Sequence, residues 1–488
     1  MGLTRNEKAM SPNILLILTD QQRWDSLGCY DTPGVHTPNL DDLATVGIRY
    51  TQCYVNNPIC TPSRASLWTG KHLPGHGVYH VHDVLPADEI LFPHFLREAG
   101  YDTALFGKLH VAGHIWEMKY RHQWDGFNTY EWAPDPNGYH GCETAYSRWL
   151  AINHPDILDR WQRDGNRIGH VRSEAHFTTW AANRTIDYLY RMQGTHQPFF
   201  CCMSVFDPHN PYTNYPAEYR DLLNVDVLPD IHAPDEPFEH RPIAHRLEAR
   251  KKSRSDLIES RIGYHAAISL IDEQVGRVLE ALDETKFSQN TVVIFASDHG
   301  DMLGDHGLTT KGAFMYDACT RVPMIIRHPE QIGSYIEDAP CQLHDVAATV
   351  LTLAQCQQAE RMPDSCNLLS SKDLRQRGHA VSMHRNSSVG HGGYYNPELH
   401  VSMWREGDYK LSLYHSPEPG PTDSWGELFD LKNDPGEMIN LWFNASMQDI
   451  RDQLMYKLSA FLVRQDAQGR SRGEPALPPG FKKSGLLK

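Results

Sequence analysis

Five short apolar runs punctuate the first two-thirds of the chain, each followed by turn residues and then a helical pattern: residues 13–18 (NILLIL), 103–106 (TALF), 199–206 (FFCCMSVF), 291–296 (TVVIFA) and 323–327 (PMIIR). Runs without polar alternation belong to strands covered on both faces, as in a parallel or mixed sheet wrapped by helices. Two longer stretches carry the broad apolar stripe of a packed helix. Residues 174–192 do so through Phe177, Trp180, Ala181, Ile186, Leu189 and Tyr190, and residues 260–282 through Ile262, Ala266, Ile268, Ile271, Val275, Val278 and Leu282. The architecture this predicts is α/β, a large central mixed and mostly parallel sheet sandwiched by helices.

Beyond about residue 390 the texture changes. Residues 401–404, 409–414 and 427–430 are short and alternating, separated by Gly407-Asp408 and the Pro/Gly run 416–421, which predicts a small antiparallel sheet. Residues 448–463 read as an amphipathic helix, and 468–488, rich in Gly, Pro and Lys, as a tail. The chain thus divides into a large α/β domain over 1–390 and a smaller C-terminal α+β subdomain with its tail over 391–488. The Pro- and charge-rich stretch 229–254 reads as a long surface loop or insertion.

Composition narrows the field. The 488 residues carry a net charge of −15, which argues against nucleic acid as a partner because phosphate binding needs a basic surface. Hydrophobic residues make up 40% of the chain, enough for a large buried core and unlike the profile of disorder. The apolar core near the start runs only from Ile14 to Leu18, shorter than the roughly 7–15 residues of a signal-peptide core. No stretch reaches the roughly 18 apolar residues of a membrane span. The expectation is a soluble cytoplasmic protein with no membrane partner, or a periplasmic or secreted one if a leader has been removed. Ten cysteines occur without a CxxC pair, so reduced thiols are the default.

The chemistry lies in where unusual polar residues fall relative to the strands. Asp20 follows NILLILT, Lys108 and His110 follow TALFG, His209 follows FFCCMSVFDP, and Asp298-His299 follow TVVIFAS. Singly, Asp20 reads as a turn residue or helix cap, Lys108 as a solvated charge and His209 as a loop residue. Together they occupy equivalent strand ends, where open α/β sheets bind their ligands. Asp20, Asp298 and His299 make an oxygen-rich site suited to Ca²⁺, Mg²⁺ or Mn²⁺. Lys108, His110, His209, Lys311 and Arg64 would surround that ion with cations and proton donors, which suits a tetrahedral oxyanion ester. Cys60, in PICTPSRASLWTG, precedes a Pro62 that is tolerated in a first helical turn, so the thiol would stand at a positive helix end.

Cys60-Thr61-Pro62-Ser63-Arg64 fits the C-x-P-x-R signal that directs oxidation of Cys to formylglycine, and the flanking strings agree. NILLILTDQQRWDSLGCYD, GKLH at 107–110, DPHNPY at 207–212, SDHGDMLGDHG from 297 and ELFDLKNDPGEMINL from 427 all resemble the type I sulfatases of the alkaline phosphatase superfamily. The resemblance implies the alkaline-phosphatase-like fold, with 1–390 as the catalytic domain. It implies that Asp20, Asp298 and His299 bind a divalent cation, Ca²⁺ first, together with formylglycine 60, and that Gln21 stands at the edge of the shell. It further implies that Arg64 and Lys108 hold the formylglycine diol and the sulfate, that His110 serves the diol, and that His209 and Lys311 face the ester bridge oxygen. Many sulfatases carry Asp where this chain has Gln21 and Asn where it has His299, so Mn²⁺ and Mg²⁺ stay open.

The resemblance also implies a sulfate monoester substrate, a small molecule or an oligosaccharide with a saccharide favoured, a formylglycine-generating enzyme as maturation partner, and room for oligomers. Two other readings stay open. One is a phosphonate monoester or phosphodiester hydrolase on the same scaffold; those enzymes carry Tyr and Thr where this chain has Lys108 and His110, a pair that strand alternation would aim at one ligand. The other is a catalytically silent binding protein. The segment 79–83 and the aromatic stretch 116–139, with Trp116, His122, Trp124 and Trp132, are candidate pocket walls.

Overall fold

The computed structural model describes residues 11–136, 143–233, 241–248, 252–331, 333–356, 362–388, 394–396, 398–415 and 426–470. Its centre is strand β1 (Asn13–Thr19), every residue of which is buried. The side chains of β1 alternate between two cores. Ile14, Leu16 and Leu18 pack with Trp68, Phe92, Phe95 and Val346 on one face, from helices Cys60–Thr69, Phe92–Glu98 and Asp345–Leu353. Leu15 and Ile17 pack with Trp180, Tyr264, Ile268 and Ile271 on the other, from helices Phe177–Met192 and Arg254–Glu284. An apolar run without alternation is what a strand between two such layers requires, each side chain contributing about 1.5–3 kcal/mol by burial.

Around β1 the chain adds β2 (Ile48–Tyr50), β3 (Cys53–Tyr54), β4 (Asp102–Gly107), β5 (Thr129–Trp132), β6 (Phe199–Ser204), β7 (Thr291–Ser297), β8 (Met324–Arg327), β9 (Tyr335–Glu337) and β10 (Cys341–Gln342). Eight of these strands form one sheet in the order β5-β4-β6-β1-β7-β8-β2-β9, and β3 pairs with β10 beside it. The pairings β5-β4, β4-β6, β6-β1 and β1-β7 are parallel, whereas β8 runs antiparallel to both β7 and β2. Hence β4, β6, β1 and β7 end side by side at one edge, and the residues after them meet there.

A second sheet is fully antiparallel: β11 (His379–Arg385), β12 (His400–Glu406), β13 (Tyr409–Tyr414) and β14 (Gly426–Asp430) in that order. Its first strand, HAVSMHR, precedes the change of texture near residue 390 and carries no clean alternation, because Ala380 to His384 are all buried. Helix Gln448–Gln468 closes against this sheet through Leu454, Leu458 and Phe461. The expected helix over 174–192 is shorter than its pattern. A 3-10 turn, Ser173–Ala175, precedes it, and His176 caps Phe177–Met192 by accepting from the Thr178 N–H. Tyr190 is 43% exposed, because it lies on the side of the helix opposite the buried Tyr188 and Met192. The helix over 260–282 extends in both directions to Arg254–Glu284, with Ser253 accepting from Asp256 N–H at its start. Within the expected loop 229–254 a short helix forms, Ile243–Glu248. The Pro/Gly run 416–421 and the tail from 471 lie outside the described residues. All nine described cysteines are free, and among the described residues no helix is long and apolar enough to cross a membrane.

A buried ion pair ties the two sheets together. Lys410 of β13, wholly buried, reaches Asp317 Oδ1 at 2.6 Å and also contacts Glu437, whose Oε2 accepts from the Asp317 N–H. Tyr316 and Tyr414 both donate to Glu427 beside it. Truncating one partner of such a group strands the others without compensation. Lys410→Ala is therefore expected to lower unfolding stability by about 3–5 kcal/mol, measured as the shift of a urea or thermal transition; a shift under about 1 kcal/mol would show that the latch is dispensable.

Candidate functional site

The residues after the four parallel strands converge as expected, and a helix supplies the rest. Helix Cys60–Thr69 starts at Cys60 with no side-chain cap, so the thiol stands at the positive dipole end of the helix. All ten of its residues are buried. Burial works to raise the Cys60 thiol, but Lys311, whose Nζ lies 3.8 Å from Sγ, and then Lys108 outweigh it and bring the pKa down to about 6.

Asp20 and Asp298 follow the neighbouring strands β1 and β7. Both are fully buried, and Arg64 joins them, its Nε donating to Asp298 Oδ2 at 2.6 Å and its Nη2 lying 3.4 Å from Asp20 Oδ2. Arg64 Nη1 donates to the Lys108 carbonyl and to Ser204 Oγ, both at 2.9 Å, so one side chain gathers residues that follow or end β4, β6, β1 and β7. Lys108 Nζ donates to Asp20 Oδ2 at 2.6 Å. Burial would raise the Asp20 carboxyl, yet Lys108, His209, Lys311 and Arg64 together hold it well below the usual carboxylate range.

Asp20, Asp298 and His299 each offer a ligand atom within 4.8 Å of the others. His299 Nδ1 lies 2.9 Å from the Gly300 carbonyl; that carbonyl accepts from Nδ1–H, so the Nε2 lone pair faces the carboxylates. Asp20 Oδ1 and Gln21 Oε1 are buried and accept no hydrogen bond. Gln21 is held with φ 70° by its own N–H donating to Asp298 Oδ1 and by Tyr264 OH donating to its carbonyl. Two orphaned oxygens, a second carboxylate and an imidazole lone pair form a donor set that fits a hard divalent cation.

His110 and His209 flank this centre. His110 Nε2 lies 3.1 Å from Thr61 Oγ1, the residue after Cys60. Burial, then Lys108, keeps its imidazole well below the ordinary histidine range, so it is neutral and able to take a proton. Strand alternation does not explain the Lys108 and His110 pair, however. β4 ends at Gly107 and His110 has φ 61°, so each side chain reaches the site from an irregular turn. His209 Nδ1–H donates to the Asn210 carbonyl at 2.8 Å, so Nε2 bears a proton only when the ring is cationic, and burial, then Lys311, holds its pKa well below the ordinary histidine range. Lys311 Nζ lies 3.1 Å from His299 Nε2. The segments bearing His209 and Lys311 also line a cleft of about 680 Å³ with Asn166, His170, Asn210, Tyr212, Lys252 and Thr310.

Several contributors were not legible. Asp301 accepts from both Gln21 Nε2 and Tyr212 OH, Ser63 Oγ donates to the Asp298 carbonyl at 2.6 Å, and Ser204 meets Arg64. Asp301 sat in plain view in SDHGD, but its task is to orient Gln21, which leaves no spacing signature. Arg23 and Arg261 converge on Asp305 and so fasten the loop after β7 to the loop after β1. The candidate walls divide between packing and a cavity. Asp83 Oδ2 accepts from the N–H groups of Tyr79 and His80, Trp132 is buried, and Trp116 and His122 line a cavity of about 340 Å³ with Leu109 and Val111. Residues 137–139 of that stretch lie outside the described residues.

The comparisons with known proteins agree with this geometry. The sulfatase family model matches residues 12–356, and the model described as N-sulphoglucosamine sulphohydrolase, C-terminal, matches 304–464. An uncharacterized sulfatase of Escherichia coli (strain K12) is 32% identical over 459 residues, covering 91% of this chain and 85% of that protein. An N-acetylglucosamine-6-O-sulfatase of Bacteroides thetaiotaomicron is 26% identical over 505 residues, covering 93% and 87%. Among solved structures, a phosphonate monoester hydrolase of Agrobacterium radiobacter shares the fold at a TM-score of 0.75 and 22% identity, covering 93% of this chain and 96% of that one. The match of the sulfatase model across the whole large sheet, over the residues that build the buried Asp20, Asp298 and Cys60 centre, means that this chain belongs to the sulfatase family, enzymes that hydrolyse sulfate esters.

Proposed function

We propose that this sulfatase cleaves a saccharide sulfate monoester with residue 60 as formylglycine and a divalent cation, Ca²⁺ first, held by Asp20, Gln21, Asp298 and His299. The observation that carries the reading is the joint burial of Cys60, two carboxylates and three cationic side chains, Arg64, Lys108 and Lys311, in one contact network. Such a concentration of charge suits a small tetrahedral anion and has no use in a neutral binding cleft. A bound cation would polarise a sulfate oxygen, and an oxidised residue 60 would supply the nucleophile.

The chain's own residues then have distinct tasks. Arg64 and Lys108 hold sulfate oxygens and stabilise the charge that develops on them. As the nucleophile bonds to sulfur the S–O bond to the alcohol breaks, and His209, cationic once the anionic ester is bound beside it, passes its Nε2 proton to the departing oxygen, with Lys311 close enough to assist. His110, neutral and beside Thr61, takes up a proton next to residue 60 in the step that frees sulfate. The cleft lined by Asn210 and Thr310, neighbours of His209 and Lys311, would receive the leaving group, and its amides, hydroxyls and aromatic rings, together with Arg220, Lys252, Asp256 and Glu259, are groups that bind sugar hydroxyls. That lining, together with the N-acetylglucosamine-6-O-sulfatase among the relatives, favours a saccharide over an aryl ester.

Cys60→Ala, compared with wild type co-expressed with a formylglycine-generating enzyme, is expected to lose at least about 1,000-fold in kcat for a sulfate ester while keeping its thermal transition; full turnover by protein with an unmodified thiol, verified by intact mass, refutes the nucleophile. Chelation is expected to abolish turnover and Ca²⁺ to restore it, whereas undiminished rates in metal-free enzyme refute the metal site. Replacing Lys108 by Tyr and His110 by Thr is expected to depress kcat/KM for the sulfate ester by about 100–1,000-fold, while phosphonate monoester hydrolysis falls much less or rises. Equal loss of both activities, or a wild type that prefers the phosphonate, would favour the phosphonate hydrolase reading.

A further inference from the structure

The turn that carries His110 lies between the end of β4 and a short antiparallel bridge of Ala112 with Val84, outside any named strand or long helix among the described residues. Pairing with β6 ends near Lys108, whose N–H still donates to the Ser204 carbonyl, and His110 then adopts φ 61°, a conformation that L side chains rarely hold unaided, before the Val111 carbonyl accepts from the Leu85 N–H and Ala112 bridges to Val84. Three successive N–H groups of this turn, beginning with that of His110, are all taken by one side chain. Glu117, on the short helix His114–Lys119 and buried, accepts from His110 N–H at 3.1 Å through Oε2, and from Val111 N–H at 2.6 Å and Ala112 N–H at 3.2 Å through Oε1. A fourth donor, Trp132 Nε1, completes Oε2 at 2.9 Å from the end of β5. Both carboxylate oxygens are thus filled, each with two donors.

We propose that Glu117 is a positioning residue of the sulfatase reaction: its carboxylate gathers three successive backbone N–H groups and so holds the His110 imidazole against Thr61 at the start of the Cys60 helix. Only an ionised carboxylate matches four donors. The carboxamide of Gln brings one accepting oxygen and an NH₂ that faces N–H groups, so at least one backbone donor is left unpaired and the turn is free to relax. The four donors that fill Glu117 include neither a metal-site residue nor Cys60; its influence reaches the chemistry through the position of one ring. This rests on His110 as the proton acceptor of the proposed function, and Trp132, a candidate pocket wall in the sequence, takes part in that support through its indole N–H.

A double-mutant cycle with a separate exchange measurement tests it. In Glu117→Gln, kcat for an aryl sulfate is expected to fall about 10–100-fold, since a misplacement near 1 Å costs about that much, while KM changes less than about twofold. In the His110→Ala background the same substitution is expected to change kcat by less than about twofold, because the group it positions is gone. Hydrogen exchange of the unmodified Cys60 protein is expected to quicken at least about tenfold for a peptide covering 108–113 and to stay unchanged for 102–107. If Glu117→Gln fails to fold, Trp132→Phe removes one donor of four, and a kcat loss of about threefold that vanishes in the His110→Ala background supports the same conclusion. Equal losses with and without His110, unchanged exchange at 108–113, or wild-type kcat in Glu117→Gln would overturn the assignment of Glu117. Wild-type kcat in His110→Ala would instead refute the role given to His110 itself.

Discussion

Two carboxylates buried side by side at the ends of adjacent parallel strands are the constraint around which this molecule is organised. An isolated carboxylate in such a setting costs far more than a domain can spare, and two of them repel. The fold answers with geometry. Arg64 comes up from the Cys60–Thr69 helix between Asp20 and Asp298, Lys108 closes on Asp20 from the end of β4, and Ser63 secures the Asp298 backbone. These pairings leave one oxygen of Asp20 unused, and with His299 Nε2, which Lys311 approaches at 3.1 Å, it marks the place a cation would fill. The same contacts that make the carboxylates tolerable thus leave them incomplete, which is the condition of a binding site rather than of a structural ion pair.

Much of this was legible because β1, β4, β6 and β7 are unbroken apolar runs, and a covered parallel sheet exposes its strand ends only at one edge. Asp20, Lys108 and Asp298 could be singled out from that rule alone, and the spacing of Cys60, Pro62 and Arg64 supplied the rest. What escaped was of two kinds. Residues that orient a neighbour, such as Asp301 on Gln21 or Ser204 on Arg64, obey no period, since their partners are distant in sequence. Local conformation also escaped: the positive φ at Gln21 and His110 is imposed by tertiary hydrogen bonds, and neither residue type announces it. Tyr190 shows the converse error, an aromatic residue four positions after Ile186 that turns to solvent because the buried stripe runs through Thr185, Tyr188 and Met192 on the other side of the helix.

The C-terminal sheet bears on the site from a distance. Through Lys410 and Glu437 it holds Asp317, six residues beyond Lys311, while Arg23 and Arg261 hold Asp305, six residues before it. The irregular segment that returns Lys311 toward Cys60 is therefore clamped on both sides by buried ion pairs. Fixing a loop at its two ends keeps its amine in place without a hydrogen-bonded strand, and it makes the smaller sheet a working part of the site.

Gly107 shows how little a motif needs in order to be chemical. A Cβ at this position would stand 1.9 Å from the Ser204 carbonyl oxygen, and its backbone has φ 112°. The first letter of GKLH is thus a gauge: it sets how near the last residues of β4 and β6 approach each other. That gap in turn decides whether Lys108 can span to Asp20 and whether Arg64 can touch Lys108 and Ser204 at once. In a distant relative that keeps the lysine and histidine, a side chain at this one position would mark a wider sheet edge, and so a different centre, before any catalytic residue had changed.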